Sequence, residues 1–176
     1  MKYILGIVAL VVIAAGAGYW WMHKGEVQTP AQAAASDPKN ATYSIDGTSV
    51  ALVNGSAQIA QENSSASITT TYFGNDATGD LNGDGMPDTA FLLTQNSGGS
   101  GTFYYVAAYV SSPSGYRGTN AVLLGDRIAP QTTEIQNSKI IVNFADRKPS
   151  EPMTAQPSVG GSKYFKVSGG QLVETQ

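Results

Sequence analysis

From residue 42 onward, turn-forming residues interrupt the chain at intervals too short for most helices. Between these interruptions, apolar and polar residues alternate, which is typical of strands with one buried face. Asp46-Gly47 and Gly169-Gly170 each stand between two strand-like segments, as in hairpin turns. The sequence therefore predicts a mainly β domain over residues 41–176, either a small antiparallel sandwich or a partly open barrel of about six to nine strands.

The most apolar strands are predicted at residues 88–94 and 102–110. Only turn-forming residues lie between them at 96–101, so the two strands are expected to form a hairpin. In the second strand, Phe103 and Tyr105 fall on one face, while the alternate residues on the other face are also apolar. Apolar character on both faces favours a central core strand over an exposed aromatic surface for carbohydrate.

An uncharged apolar run of 20 residues occupies positions 3–22. As a helix it would span about 30 Å, the thickness of a bilayer core. Tyr19, Trp20 and Trp21 stand at its end, where an aromatic belt belongs. The sequence therefore predicts a single-pass transmembrane anchor that leaves the rest of the chain outside the cytoplasm.

A cleaved signal peptide is the alternative interpretation of the same run. Lys2 supplies a minimal basic region, and Ala15-Gly16-Ala17 resembles a cleavage site. Both interpretations place the remaining chain in the cell envelope or beyond.

Three segments follow from these patterns: an anchor or signal peptide at 1–24, a flexible linker at 25–40, and a β-rich extracytoplasmic domain at 41–176. The linker contains no aromatic residue and a single valine. It cannot bury enough apolar area to offset the entropy of ordering.

Two residue types that carry much enzyme chemistry are missing from the predicted domain. The chain has no cysteine, and its one histidine is His23, beside the apolar run. This composition excludes thiolate chemistry, histidine-ligated zinc and a serine–histidine–aspartate triad in the domain, so we expect a protein that is not an enzyme. A net charge of −3 without a basic cluster gives no indication of a nucleic-acid partner.

The segment 80–88, hereafter the acidic loop, reads DLNGDGMPD and places oxygen-bearing side chains at alternate positions. Calcium takes six to eight oxygen ligands at about 2.3–2.6 Å, and alternate spacing lets a curled backbone aim every second side chain inward. Gly83 and Gly85 permit the left-handed conformations that such a curl requires. An acidic turn without a metal is the alternative. The loop predicts a Ca²⁺ site with these ligands: Asp80, Asn82, Asp84, Asp88 and the carbonyl group of Met86.

The spacing resembles the calcium loops of integrin-type FG-GAP repeats and, less closely, those of dockerins. The FG-GAP resemblance implies the same five ligands and a position between two strands. The twelfth position is Phe91, where an EF-hand requires a bidentate glutamate. Without that glutamate we expect a modest affinity, with a Kd on the order of 10⁻⁴–10⁻³ M, as in extracellular modules.

A wider stretch, residues 72–157, is similar to an uncharacterised group of bacterial envelope proteins. The matching segments include YFGN at 72–75, GDLNGDGMPD at 79–88 and GTNAVLLGDRIAPQTTE at 118–134. The resemblance implies an N-terminal membrane anchor followed by one small β-rich domain, and it implies no activity.

Three functions remain open on sequence grounds. The first is a membrane-tethered domain in which calcium stiffens a loop. The second is a calcium-dependent adhesion or ligand-binding module for a protein or glycan. The third is a carboxylate-based hydrolase, which requires Asp76 or Glu134 near the metal.

Overall fold

The computed structural model describes residues 37–61 and 66–176. The predicted anchor at 3–22 and most of the linker lie outside these residues. In the described part, no helix is long and apolar enough to span a bilayer. Regular structure there consists of a short 3₁₀ helix, Pro38–Asn40, and the following strands: β1 (Thr42–Ile45), β2 (Thr48–Ala51), β3 (Ser56–Ala60), β4 (Ser67–Gly79), β5 (Asp88–Asn96), β6 (Phe103–Val110), β7 (Arg117–Gly118), β8 (Asn120–Asp126), β9 (Ala129–Gln136), β10 (Lys139–Asp146), β11 (Val159–Ser168) and β12 (Gln171–Thr175).

The strands form two sheets, which confirms the mainly β prediction. The larger sheet has the order β2-β1-β8-β6-β5-β4-β3, with β7 paired to β6, and it is nearly closed like a barrel. The smaller sheet has the order β12-β11-β10-β9. Neighbouring strands are antiparallel except for β1 and β8, which are parallel. The antiparallel prediction is wrong for this pair, because the long connection over residues 46–119 allows the second strand to run in the same direction as the first.

Two apolar clusters cover opposite faces of β5 and β6. The inner cluster draws only on strands of the larger sheet and the segment following β2: Tyr43, Ile45, Val50, Leu52, Phe91, Leu93, Tyr105, Ala107, Tyr109 and Ala121. The inter-sheet cluster joins both sheets and includes Leu81: the other members are Ala90, Leu92, Val106, Ala108, Val110, Leu124, Ile128, Ile140, Val142, Phe144, Phe165 and Leu172. The predicted two-sided burial of β6 and its hairpin with β5 are confirmed.

β9 was not predicted, because Pro130 marks a turn in the sequence. The structure places Pro130 opposite Phe144, next to a register shift in β10, and β9 is an edge strand of the smaller sheet. Proline lacks an amide hydrogen and is tolerated at edges and bulges. A proline in this position therefore does not interrupt the strand.

The last residues of the predicted linker belong to the folded domain. Asp37 caps the 3₁₀ helix by accepting a hydrogen bond from the amide of Lys39. The hydroxyl of Tyr43 donates to the carbonyl of Pro38 at 2.7 Å, and the amide of Asn54 donates to Asn40 Oδ1 at 2.8 Å. These contacts extend the structured domain to residue 37 at least.

Gly118 lies where β7 passes β1 without room for a side chain. A Cβ atom there would lie 2.6 Å from the ring of Tyr43 and would also meet the carbonyl of Thr42. We predict that Gly118→Ala lowers the free energy of unfolding by about 1–3 kcal/mol, because backbone or buried ring must shift. Gly160→Ala is the matched control, since nothing lies within 4 Å of its Cβ position. Equal urea midpoints for the two variants would contradict this account.

Tyrosines of the inner cluster make the fold sensitive to alkali. Burial, followed by the hydrogen bond to Asp46, raises the pKa of Tyr105 to about 12. Burial also raises the pKa of Tyr43, Tyr72 and Tyr109 above the usual value. An unfolded tyrosine ionises near pH 10, so the stability these groups provide is fully present below about pH 10 and is lost above it.

We predict that the free energy of unfolding declines between about pH 10 and 12, and that tyrosinate absorbance at 295 nm rises together with loss of the β circular-dichroism signal. N-acetyltyrosinamide serves as the reference titration. Full tyrosine ionisation near pH 10 in a chain that stays folded would contradict the burial argument.

Candidate metal centre

The acidic loop connects β4 to β5. The ladder between these strands ends at the pair Gly79–Asp88, and the loop closes the hairpin beyond it. Leu81 is 3% exposed and packs into the inter-sheet cluster, so the loop is fixed to the core near its start. Gly83 and Gly85 have φ angles of 80° and 79°. The predicted position between two strands and the predicted left-handed curl are both present.

Three polar side chains in the first half of the loop turn towards its own backbone. Asp80 accepts hydrogen bonds from the amides of Gly83 at 2.7 Å and Gly85 at 3.0 Å. Asn82 Oδ1 accepts from the amide of Asp84, and Asp84 Oδ1 accepts from the amide of Met86. The oxygens of these three side chains are therefore hydrogen-bonded to amides of the loop itself.

Asp88 ends the loop and is fully buried. One of its oxygens accepts a hydrogen bond from the amide of Leu81 at 2.8 Å, and the other accepts from the amide and the hydroxyl of Ser111, both at 2.8 Å. A buried carboxylate is tolerated only with such partners. Asp88 therefore ties the start of the loop to the residue that follows β6.

The Ser111 hydroxyl lies between two carboxylates. Its Oγ is 2.9 Å and 3.1 Å from the two oxygens of Asp84, and 2.8 Å from Asp88 Oδ1. A hydroxyl group has a single proton to donate. At any moment one of the two carboxylates therefore faces this oxygen without a proton between them, an arrangement that a cation would relieve.

Hydrogen bonds also keep Asp84 ionised. The amide of Met86, and next the side chain of Asn82, hold the pKa of the Asp84 carboxyl below its usual range. Asn82 Nδ2 lies 2.9 Å from Asp84 Oδ2 and also donates to the carbonyl of Ser111. The loop thus presents an anionic side chain at its exposed rim.

Carboxylates alone do not complete a metal centre here. Among the residues that the structure describes, no three acidic or histidine side chains come together closely enough to hold an ion. A calcium ion in the loop would also need oxygens that are not carboxylates, and the predicted ligands of this kind are Asn82 and the Met86 carbonyl group. The Met86 side chain itself is 44% exposed.

The two carboxylates considered for hydrolysis lie in other surroundings. Asp76 lines a pocket with Lys39 and Tyr72 at the bulge in β4. The carboxylate of Glu134 accepts hydrogen bonds from the side chains of Gln136 and Thr132. Within the described ranges, neither side chain is hydrogen-bonded to the acidic loop.

Ser111 was missed because its sequence neighbourhood, SSPSG, indicates only a turn. The available signal is the register of the β5–β6 hairpin, in which Thr89 pairs with Tyr109. If this register continues, Pro87, two residues before Thr89, lies opposite Ser111, two residues after Tyr109. A hairpin with a known register would therefore have placed this serine beside the loop.

Comparison of the chain with protein-family models, curated proteins and solved structures finds no match.

Asp88 accepts hydrogen bonds from three donors, so its substitution should lower the stability of the fold. In Asp88→Asn, an NH₂ group replaces one acceptor, so at least one buried donor loses its partner, at a cost of about 1–3 kcal/mol. Asp76→Asn changes an exposed carboxylate and should stay within about 0.5 kcal/mol of the parent. Urea unfolding in EDTA measures both, and an Asp88→Asn variant as stable as Asp76→Asn would disprove the tethering role.

Proposed function

We propose that the protein is a membrane-tethered, non-enzymatic domain of the cell envelope whose acidic loop binds one structural calcium ion. The ligands are Asp80, Asn82, Asp84, Asp88 and the Met86 carbonyl group. The observation that carries the proposal is the position of Ser111 Oγ within hydrogen-bonding distance of both Asp84 and Asp88.

Electrostatics supports this assignment. The segment 41–176 contains seven Lys/Arg and eleven Asp/Glu residues, a difference of −4, and the loop's three aspartates supply −3 of it. Two of these aspartates share one hydroxyl proton, and the third is hydrogen-bonded to two amides of the same curl. A divalent ion bound here would neutralise two of these three negative charges, and its binding would draw the three aspartate side chains closer together.

The loop's attachments support a structural role for the ion. Leu81 anchors the start of the loop in the core, and the hydroxyl of Tyr116 donates to the carbonyl of Pro87 near its end. An ion bound between these two attachments would fix the middle of the loop, whose two ends are already attached to the domain. Since it binds the folded state, calcium at ten times the Kd would add about 1.4 kcal/mol to the free energy of unfolding.

The tether is inferred from the sequence alone. The apolar run at 3–22 is long enough to cross a bilayer, and the folded domain begins a short distance after it. A loop with a Kd on the order of 10⁻⁴–10⁻³ M fills only where calcium is plentiful, which fits a domain outside the cytoplasm.

A ligand-binding module is the second candidate. The observation that favours it is a pocket of about 270 Å³ directly beside the loop, lined by Asn82, Asp84 and Arg117. In this case the ion would both stiffen the loop and contribute to a binding surface.

Calorimetric titration of the purified full chain tests the calcium proposal. We predict one binding event at calcium concentrations up to the millimolar range and its loss in Asp84→Ala, because the rim carboxylate is removed. Asp76→Ala is the matched control, since it removes an exposed carboxylate outside the loop. The absence of binding heat at 10 mM calcium, or equal heat in both variants, would refute the assignment.

A further inference from the structure

The pocket beside the acidic loop is lined by charged, polar and apolar side chains. Asn82 and Asp84 come from the loop, and Ser111 and Ser112 follow β6. Val110 and Val167 give it apolar surface. Its volume of about 270 Å³ lies just below the range of drug-sized sites, which suits a small ligand.

Arg117 supplies the only positive side chain of this lining. The residue is exposed, and within the described ranges it has no acidic partner in an ion pair. Its guanidinium group lies over Gly170, where a Cβ atom would be 3.0 Å from Arg117 Cζ. The absence of a side chain at Gly170 thus leaves the guanidinium its place in the pocket lining.

The proposed calcium ion would have an incomplete coordination shell. The loop offers five ligand residues, which supply five oxygens when each aspartate binds through one oxygen, whereas calcium takes six to eight. The twelfth position, which supplies two oxygens in an EF-hand, is Phe91, and its ring is buried in the inner cluster against Tyr43 and Tyr72. With one oxygen from each aspartate, the shell is completed by a neighbouring segment such as Ser111, by water or by an oxygen of a bound ligand.

We propose that this pocket binds a small carboxylate ligand that coordinates the loop's calcium ion and pairs with Arg117. The inference rests on the proposed calcium site. Guanidinium groups match carboxylates in geometry and charge, and calcium prefers carboxylate oxygens. Val110 and Val167 would contact the carbon atoms of the ligand.

Such a carboxylate could belong to a sugar acid or to the end of a peptide. Glucuronate and N-acetylglycine are suitable probes for the two sources, with glucose as the uncharged control. The full chain is purified in a polyoxyethylene detergent, so that glucuronate and glucose are the only sugars in the titration. Calcium is removed by ion-exchange resin, since a chelator such as EDTA is itself a carboxylate.

We predict that calcium-loaded protein binds at least one of the two probes, and that Arg117→Ala weakens this binding about tenfold or more, the effect of losing one charge-assisted hydrogen bond. Calcium binding itself should be unchanged in this variant. Arg127→Ala is the matched control, because Arg127 is paired with Asp126 at 3.0 Å and does not line the pocket.

The outcomes separate the two proposals. Normal calcium binding with no heat from either probe overturns the carboxylate site and leaves the calcium site standing. Carboxylate binding that persists without calcium, or that is equal in Arg117→Ala and the parent, also overturns it. Absence of calcium binding refutes the proposed function itself. Binding of glucuronate alone identifies a sugar acid, and binding of N-acetylglycine alone identifies a peptide terminus.

Discussion

Burial of β5 and β6 on both faces is the constraint on which the other parts depend. One face closes the larger sheet around the inner cluster, and the other receives the smaller sheet. A slip of one residue between these strands would exchange the two faces of a strand. Because each face packs against a different set of residues, the register is strongly specified, and it fixes Ser111 beside the start of β5.

The acidic loop inherits its geometry from this register. Hydrogen bonds from side chains to loop amides shape its first half. Asn82, Asp84 and the buried Asp88 all bond to Ser111, which attaches the loop to the end of β6. Local interactions form the curl, and the sheet determines where the curl meets the rest of the chain.

Sequence reasoning succeeded where local chemistry decides the outcome. The Asp46-Gly47 hairpin, the two apolar faces of β6 and the glycine-dependent curl all follow from short patterns. It failed where distant parts of the chain decide. The parallel pairing of β1 with β8 depends on closure of the sheet, and β9 contains a proline that is acceptable only at an edge. Ser111 and Arg117 join the site through strand pairing, so their own neighbours carry no signal for it.

Pro130, near the start of β9, affects how readily copies of the protein can aggregate by pairing their strands. An exposed edge strand is a template on which a strand of another molecule can pair. Proline has no amide hydrogen for such pairing, and the adjacent bulge disturbs the regular ladder. That part of the edge is therefore a poor site for growth of an intermolecular sheet. Protection of this kind matters most for proteins crowded on one surface, which is the situation that the proposed membrane tether would create.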